Sequence, residues 1–205
     1  MRSLFVTTAL LVALTGCSLT QPAPVKQTFL LDPALPTATT TNATTATTTR
    51  AASSVLRINR FVVAQPFDGR TLVYRISDTR YEADYYNEFL AFPATMLTEN
   101  VIRHLAASRL YQAVVPMTSS IDSKLVLEGA VVHLYGDLRS SGAHAVLGIR
   151  FLLARDGGGE ILYDRLIERR VAVAARSASA LVAGYDAALG QILAELAADL
   201  AKHAN

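Results

Sequence analysis

The chain has 205 residues, a formal net charge of +2 and one cysteine. That length suits one domain with a core large enough to fold alone, and the scattered positive residues, without a Lys/Arg cluster beside interleaved aromatics, exclude nucleic acid as the expected partner. A lone cysteine leaves no structural disulfide and no thiolate-rich metal site.

Met1-Arg2 is followed by an apolar run that starts at Leu4 and closes in Leu14-Thr15-Gly16-Cys17. About 11 apolar residues fall short of the ~20 that a membrane span requires. The four closing residues resemble the lipobox of a bacterial lipoprotein signal peptide, in which small residues admit the peptidase and the cysteine thiol receives a diacylglycerol group. On this reading residues 1–16 are an address, and Cys17 begins the mature protein and carries diacylglycerol and an N-acyl chain, with no other cofactor expected. Beyond the leader, no apolar stretch approaches spanning length without charges, so the lipid is the expected anchor; several acyl chains at ~0.8 kcal/mol per buried methylene make it effectively permanent.

Residues 17–26 carry Pro22 and Pro24 and no hydrophobic period. They read as an extended tether of about ten residues, up to roughly 33 Å long. The domain is expected over 27–205. Residues 27–31 read as a strand stopped by Asp32-Pro33. Residues 36–53, nearly all threonine and alanine, have too little apolar mass to offset the entropy of ordering and read as a disordered loop.

Residues 55–63 alternate apolar and polar positions as a half-buried strand does, and 71–76 repeat the pattern. Tyr81 to Tyr86 follow after Ser77-Asp78. Pro93 suits the first turn of a helix running to about Ser108, with Leu97, Val101 and Leu105 on one face. Residues 111–115 form a short strand. Three longer strands are expected at 124–135, 143–155 and 160–173, joined as an antiparallel meander; Asp156-Gly157-Gly158-Gly159 is a hairpin signal between the last two. Ser177 or Ser179 caps a final helix in which Leu181, Tyr185, Leu189, Ile192, Leu196 and Leu200 recur at spacings of three and four. The fold class is therefore α/β: a single mixed, largely antiparallel sheet with two packed helices.

Chemistry is sparse along this chain. It has no Gly-x-Ser-x-Gly elbow and no Ser-x-x-Lys at a helix start. His104, His133, His144 and His203 show no metal-binding spacing. His104 is expected to be structural; His133 and His144 lie on adjacent strands and can meet across the sheet, but with no carboxylate nearby they make a poor site. Neither a catalytic residue nor a metal is assigned. What stands out is aromatic: Tyr81, Tyr85, Tyr86, Phe89 and Phe92 exceed what one short strand buries on one face, and they are the candidate partner-binding residues.

In order and spacing these elements resemble the ABC-type transport auxiliary lipoproteins, which include the lipoprotein of the paraquat-inducible intermembrane transport system. The residues that carry the resemblance are the lipobox ending at Cys17, the strand Phe29-Leu30-Leu31-Asp32-Pro33, Leu72-Val73-Tyr74-Arg75, Tyr81 in a tyrosine-rich segment, Pro93 opening the helix with Met96-Leu97, and the long C-terminal helix. The chain departs from the family in having Phe89-Leu90, and no tryptophan, before that proline. The resemblance implies a non-enzymatic auxiliary of an intermembrane lipid transporter, with an ABC ATPase and permease and an MCE-domain protein as partners. Ser18 after the cysteine fits sorting to the periplasmic face of the outer membrane. A homo-oligomer is compatible with this reading. The alternative is an outer-membrane lipoprotein that activates a peptidoglycan synthase, and an enzyme acting on lipid or glycan is a third reading.

Overall fold

The computed structural model describes residues 25–35, 54–139, 142–157 and 159–203. The leader with Leu14, Thr15, Gly16 and Cys17, most of the tether and the 36–53 loop lie outside the described residues.

Strand β7 (Leu125–Asp137) is the spine of the fold. On one edge it pairs antiparallel along its length with β8 (Ala143–Arg155), which pairs antiparallel with β9 (Ile161–Val173). This is the expected meander. On its other edge β7 holds three short strands in succession, all parallel to it: β2 (Val55–Ile58) at Leu125–Leu127, β3 (Val62–Val63) at Ala130 and Val131, and β4 (Thr71–Arg75) at Gly136 and Asp137. Outside them lie β6 (Ala113–Pro116), parallel to β2, and β5 (Tyr81–Phe89), antiparallel to β4; β1 (Gln27–Phe29) closes the sheet parallel to β5. The sheet is mixed, with the longest ladders antiparallel.

The expected strand over 55–63 is interrupted in the structure. The Phe61 amide donates to the Thr98 hydroxyl at 3.0 Å instead of to a strand, which breaks the run into β2 and β3. The Phe61 ring then lies on Gly129, where an added Cβ would come within 2.5 Å of it. Glycine there makes room for a ring that packs edge-on against Phe151, with centroids 5.9 Å apart.

Two helices cover one face. Helix α1 (Pro93–Ser108) starts with Pro93 in its first turn, as its fixed φ favours, and buries Met96, Leu97, Val101 and Leu105. Helix α2 (Ala178–Leu200) is capped by Ser177, whose Oγ accepts from the Ala180 amide at 3.3 Å. The six apolar residues anticipated on α2 are all buried, against Ala145, Leu147, Ile149 and Phe151 of β8 among others. Each large side chain so buried contributes roughly 1.5–3 kcal/mol. By length and composition α2 is apolar enough to cross a membrane, which the charged residues along it obscure in the sequence, but half of it is buried within the fold. It is a core helix.

Candidate functional site

Strand β5 does not run straight beside β4. While β4 advances from Thr71 to Val73, β5 runs from Ala83 to Glu88, so three residues are looped out. Asp84 organises this bulge. Its carboxylate accepts from the Tyr74 hydroxyl at 2.8 Å, the Asn87 side-chain amide at 2.8 Å, and the backbone amides of Tyr86 and Asn87 at 2.9 and 3.0 Å. Burial opposes charge on Asp84, but these bonds from Asn87, Tyr74 and the two amides outweigh it and hold the carboxyl below its usual range. Burial, and next the bond to Asp84, push the Tyr74 phenol up.

The bulge carries Tyr85 and Tyr86 outward. Tyr85 is 73% exposed and Tyr86 41%, and their rings meet edge to face with centroids 5.1 Å apart. Lys26, just before β1, sits over the Tyr85 ring at 5.1 Å. The tether thus reaches the domain beside this pair. Phe92 is also exposed, at the N-cap of α1, and Leu30 and Leu90 are exposed where the chain leaves β1 and β5.

The other aromatic residues of the segment separate. Tyr81 belongs to a second cluster on the sheet face away from the helices, 5.6 Å from Tyr135 and 6.3 Å from Phe67, with the Arg75 guanidinium over its ring. Phe89 is not at the surface. It is 1% exposed and packs 6.2 Å from Tyr185 of α2, so it belongs to the core and leaves the candidate surface. The structure therefore assembles Tyr85 and Tyr86, with Phe92, Leu30 and Leu90 further along the same flank. The sequence reading missed Asp84 as their organiser; its signal is an Asp-x-x-Asn turn set inside an aromatic strand.

The ionisable residues form structural networks. Asp137 is fully buried and accepts from Arg139 at 2.8 Å and from Arg170 at 2.5 Å. The Arg139 bonds first, and Arg170 with them, hold its carboxyl well below the usual carboxylate range despite burial. Asp199, at about pKa 2, is held down first by Lys202 and then, against burial, by Arg165 and Tyr163. His133 and His144 do not meet: His133 lies opposite Gly148 and bonds Glu168, and His144 lies opposite Asp137. The carboxylate that the sequence did not place near His133 comes from β9. No group of three metal-ligating side chains occurs among the described residues.

A family model described as the ABC-type transport auxiliary lipoprotein component matches residues 34–197. Among solved structures, a DUF330-family protein from Xanthomonas campestris superposes with a TM-score of 0.65 at 18% identity, over 70% of this chain and 81% of its own. An uncharacterized protein of known structure superposes with a TM-score of 0.63 at 16% identity, over 88% of this chain and 99% of its own. At such identities both likenesses concern the fold. No curated protein matches the chain.

Proposed function

The chain belongs to the ABC-type transport auxiliary lipoprotein component family, and from that membership we propose that it is a non-catalytic docking module of an intermembrane lipid transporter. Its partners are an ABC permease and ATPase and an MCE-domain protein. Cys17 bears the lipid and holds the domain at the periplasmic face of the outer membrane. Residues 18–26 allow roughly 30 Å of stand-off at ~3.3 Å per residue. The family is one of transport auxiliaries, which favours this reading over activation of a peptidoglycan synthase.

The observation that carries the docking role is the exposure of Tyr85 and Tyr86 on a bulge fixed by four hydrogen bonds to Asp84. Tyrosines held rigidly in solvent offer large contact area at little further entropic cost, as interface anchors do. Phe92 is exposed as well and extends this surface.

The test is a pull-down from detergent-solubilised envelope with the full-length lipoprotein. Wild type is expected to recover the permease or the MCE-domain protein, and the Tyr85→Ala, Tyr86→Ala double variant to recover at least about tenfold less. Recovery of neither partner by wild type overturns the transporter reading. Equal recovery by wild type and double variant removes these tyrosines from the docking surface.

A further inference from the structure

The sheet ends in one long edge that the fold leaves open. Strand β9 pairs only with β8, and among the described residues no backbone bond reaches its other side. The remaining edge strands are short: β6 has four residues and ends in Pro116, and β1 has three. β9 has 13 residues with no proline or glycine among them. Its register shift lies at its start, so Tyr163 to Val171 run regularly beside β8. A row of unpaired amides and carbonyls of that length is a template for another strand.

Free charge commonly guards such an edge, but on β9 the charge is engaged elsewhere. All five charged residues of the strand have partners within the fold. On the face away from the helices Asp164 pairs with Arg150, Glu168 with His133 and Arg170 with Asp137. On the helix face Arg165 and Arg169 share Glu195, and Arg165 also reaches Asp199. Every one of these partners comes from β7, β8 or α2. Among them Leu166 stands 48% exposed. Helix α2 packs on β8 and β9, and its exposed residues are Ser179, Ala183, Ala187, Gln191, Ala194 and Ala198. It therefore presents no exposed charge to an approaching chain.

We propose that β9 pairs antiparallel with β9 of a second copy of this chain, about a two-fold axis at Ile167. That axis is the midpoint of the regular stretch, so Tyr163 to Val171 pair along their whole length. On the face away from the helices Asp164 then lies opposite Arg170 of the second copy, twice by symmetry, and Leu166 lies opposite Glu168. On the helix face Tyr163 lies opposite Val171 and Ile167 opposite its own copy. Arg165 lies opposite Arg169, each already held by Glu195 of its own chain. Moving the axis by one residue sets Asp164 against Glu168 or Glu168 against itself, and like charges directly opposite are destabilising. This self-match favours a second copy over an unrelated strand. Tyr85 and Tyr86 lie on β5, beyond β7 and β4 from this edge, and stay free for docking.

The experiment uses the full chain carrying Cys17→Ser, which leaves no other cysteine. No transporter component is present, so its result is separate from the docking reading. Sedimentation equilibrium up to about 100 µM should show a reversible monomer–dimer equilibrium. Leu166→Glu sets like charges opposite each other at two symmetric positions and should weaken the dimer at least about fivefold. Leu166→Lys removes the same apolar side chain but faces Glu168, and it should dimerise at least as tightly as the parent chain. An equimolar mixture of Leu166→Cys and Glu168→Cys chains should cross-link under mild oxidation at least about fivefold faster than either chain alone, because opposite positions of an antiparallel pair come within disulfide reach. Leu166 and Glu168 are both exposed, so these variants should keep the fold, which circular dichroism checks. A chain that stays monomeric overturns the proposal. So does a dimer that responds equally to both charges at position 166, or one whose mixed cysteines link no faster, since either result puts the interface on another surface.

Discussion

Asp84→Ala is the most informative single change. It removes four hydrogen bonds at once, two of them from the side chains of Tyr74 and Asn87. Bonds to a charged acceptor are worth roughly 1.5–3 kcal/mol each when buried, but this bulge is lapped by solvent, so ~1 kcal/mol each is appropriate. The half-buried Tyr74 hydroxyl is also left without its acceptor. A loss of about 3–4 kcal/mol follows, or a fall in Tm of about 6–16 °C for a domain of this size. Urea denaturation followed by circular dichroism reads the stability, and the envelope pull-down reads the display of Tyr85 and Tyr86. Because the folded state lowers the Asp84 pKa, its contribution is present above the ordinary carboxylate range and is lost as pH falls through the folded value. The stability gap between wild type and Asp84→Ala should therefore shrink in acid. A loss under ~0.5 kcal/mol at neutral pH, or a gap that does not narrow in acid, refutes the claim that Asp84 holds the bulge.

Phe89→Ala should cost about 3–5 kcal/mol, since its ring fills the core against Tyr185, whereas Phe92→Ala should cost under ~1 kcal/mol and weaken partner recovery; denaturation midpoints distinguish the two. Asp137→Asn leaves Arg139 and Arg170 without their buried anion and should cost about 2–4 kcal/mol at pH 7. The Asp137 pKa is lowered in the fold, so that difference should begin to narrow as pH falls below the ordinary carboxylate range and be lost as it falls through the lowered folded value, as thermal melts across pH will read. Cys17→Ser should fold normally yet fractionate away from the membrane, and a membrane-bound Cys17→Ser protein contradicts lipid anchoring at that residue.

The helices were legible because their signals are local. Pro93 at the start of α1, and six apolar residues of α2 at spacings of three and four, need no knowledge of the rest of the chain. The β7–β8–β9 meander was legible for the same reason, since a glycine-rich hairpin joins its last two strands. The parallel half was not: β2, β3 and β4 find β7 across long stretches of sequence, and no local pattern encodes that choice. The site failed at one identifiable point. In an uninterrupted strand Phe89 shares a face with Tyr81 and Tyr85. Three looped-out residues, an odd number, turn it to the opposite face and into the core.

The placement of β7 has a consequence for time. Of the strands before Leu125, β2, β3 and β4 pair directly with β7, β5 and β6 pair with β4 and β2, and β1 pairs with β5. The closure is longer still at Asp32, whose amide bonds a residue 154 positions away. Such distant pairings form slowly, because loop entropy is lost before contacts repay it. β2, β3 and β4 therefore lack the strand that joins them until the chain has been made past Asp137.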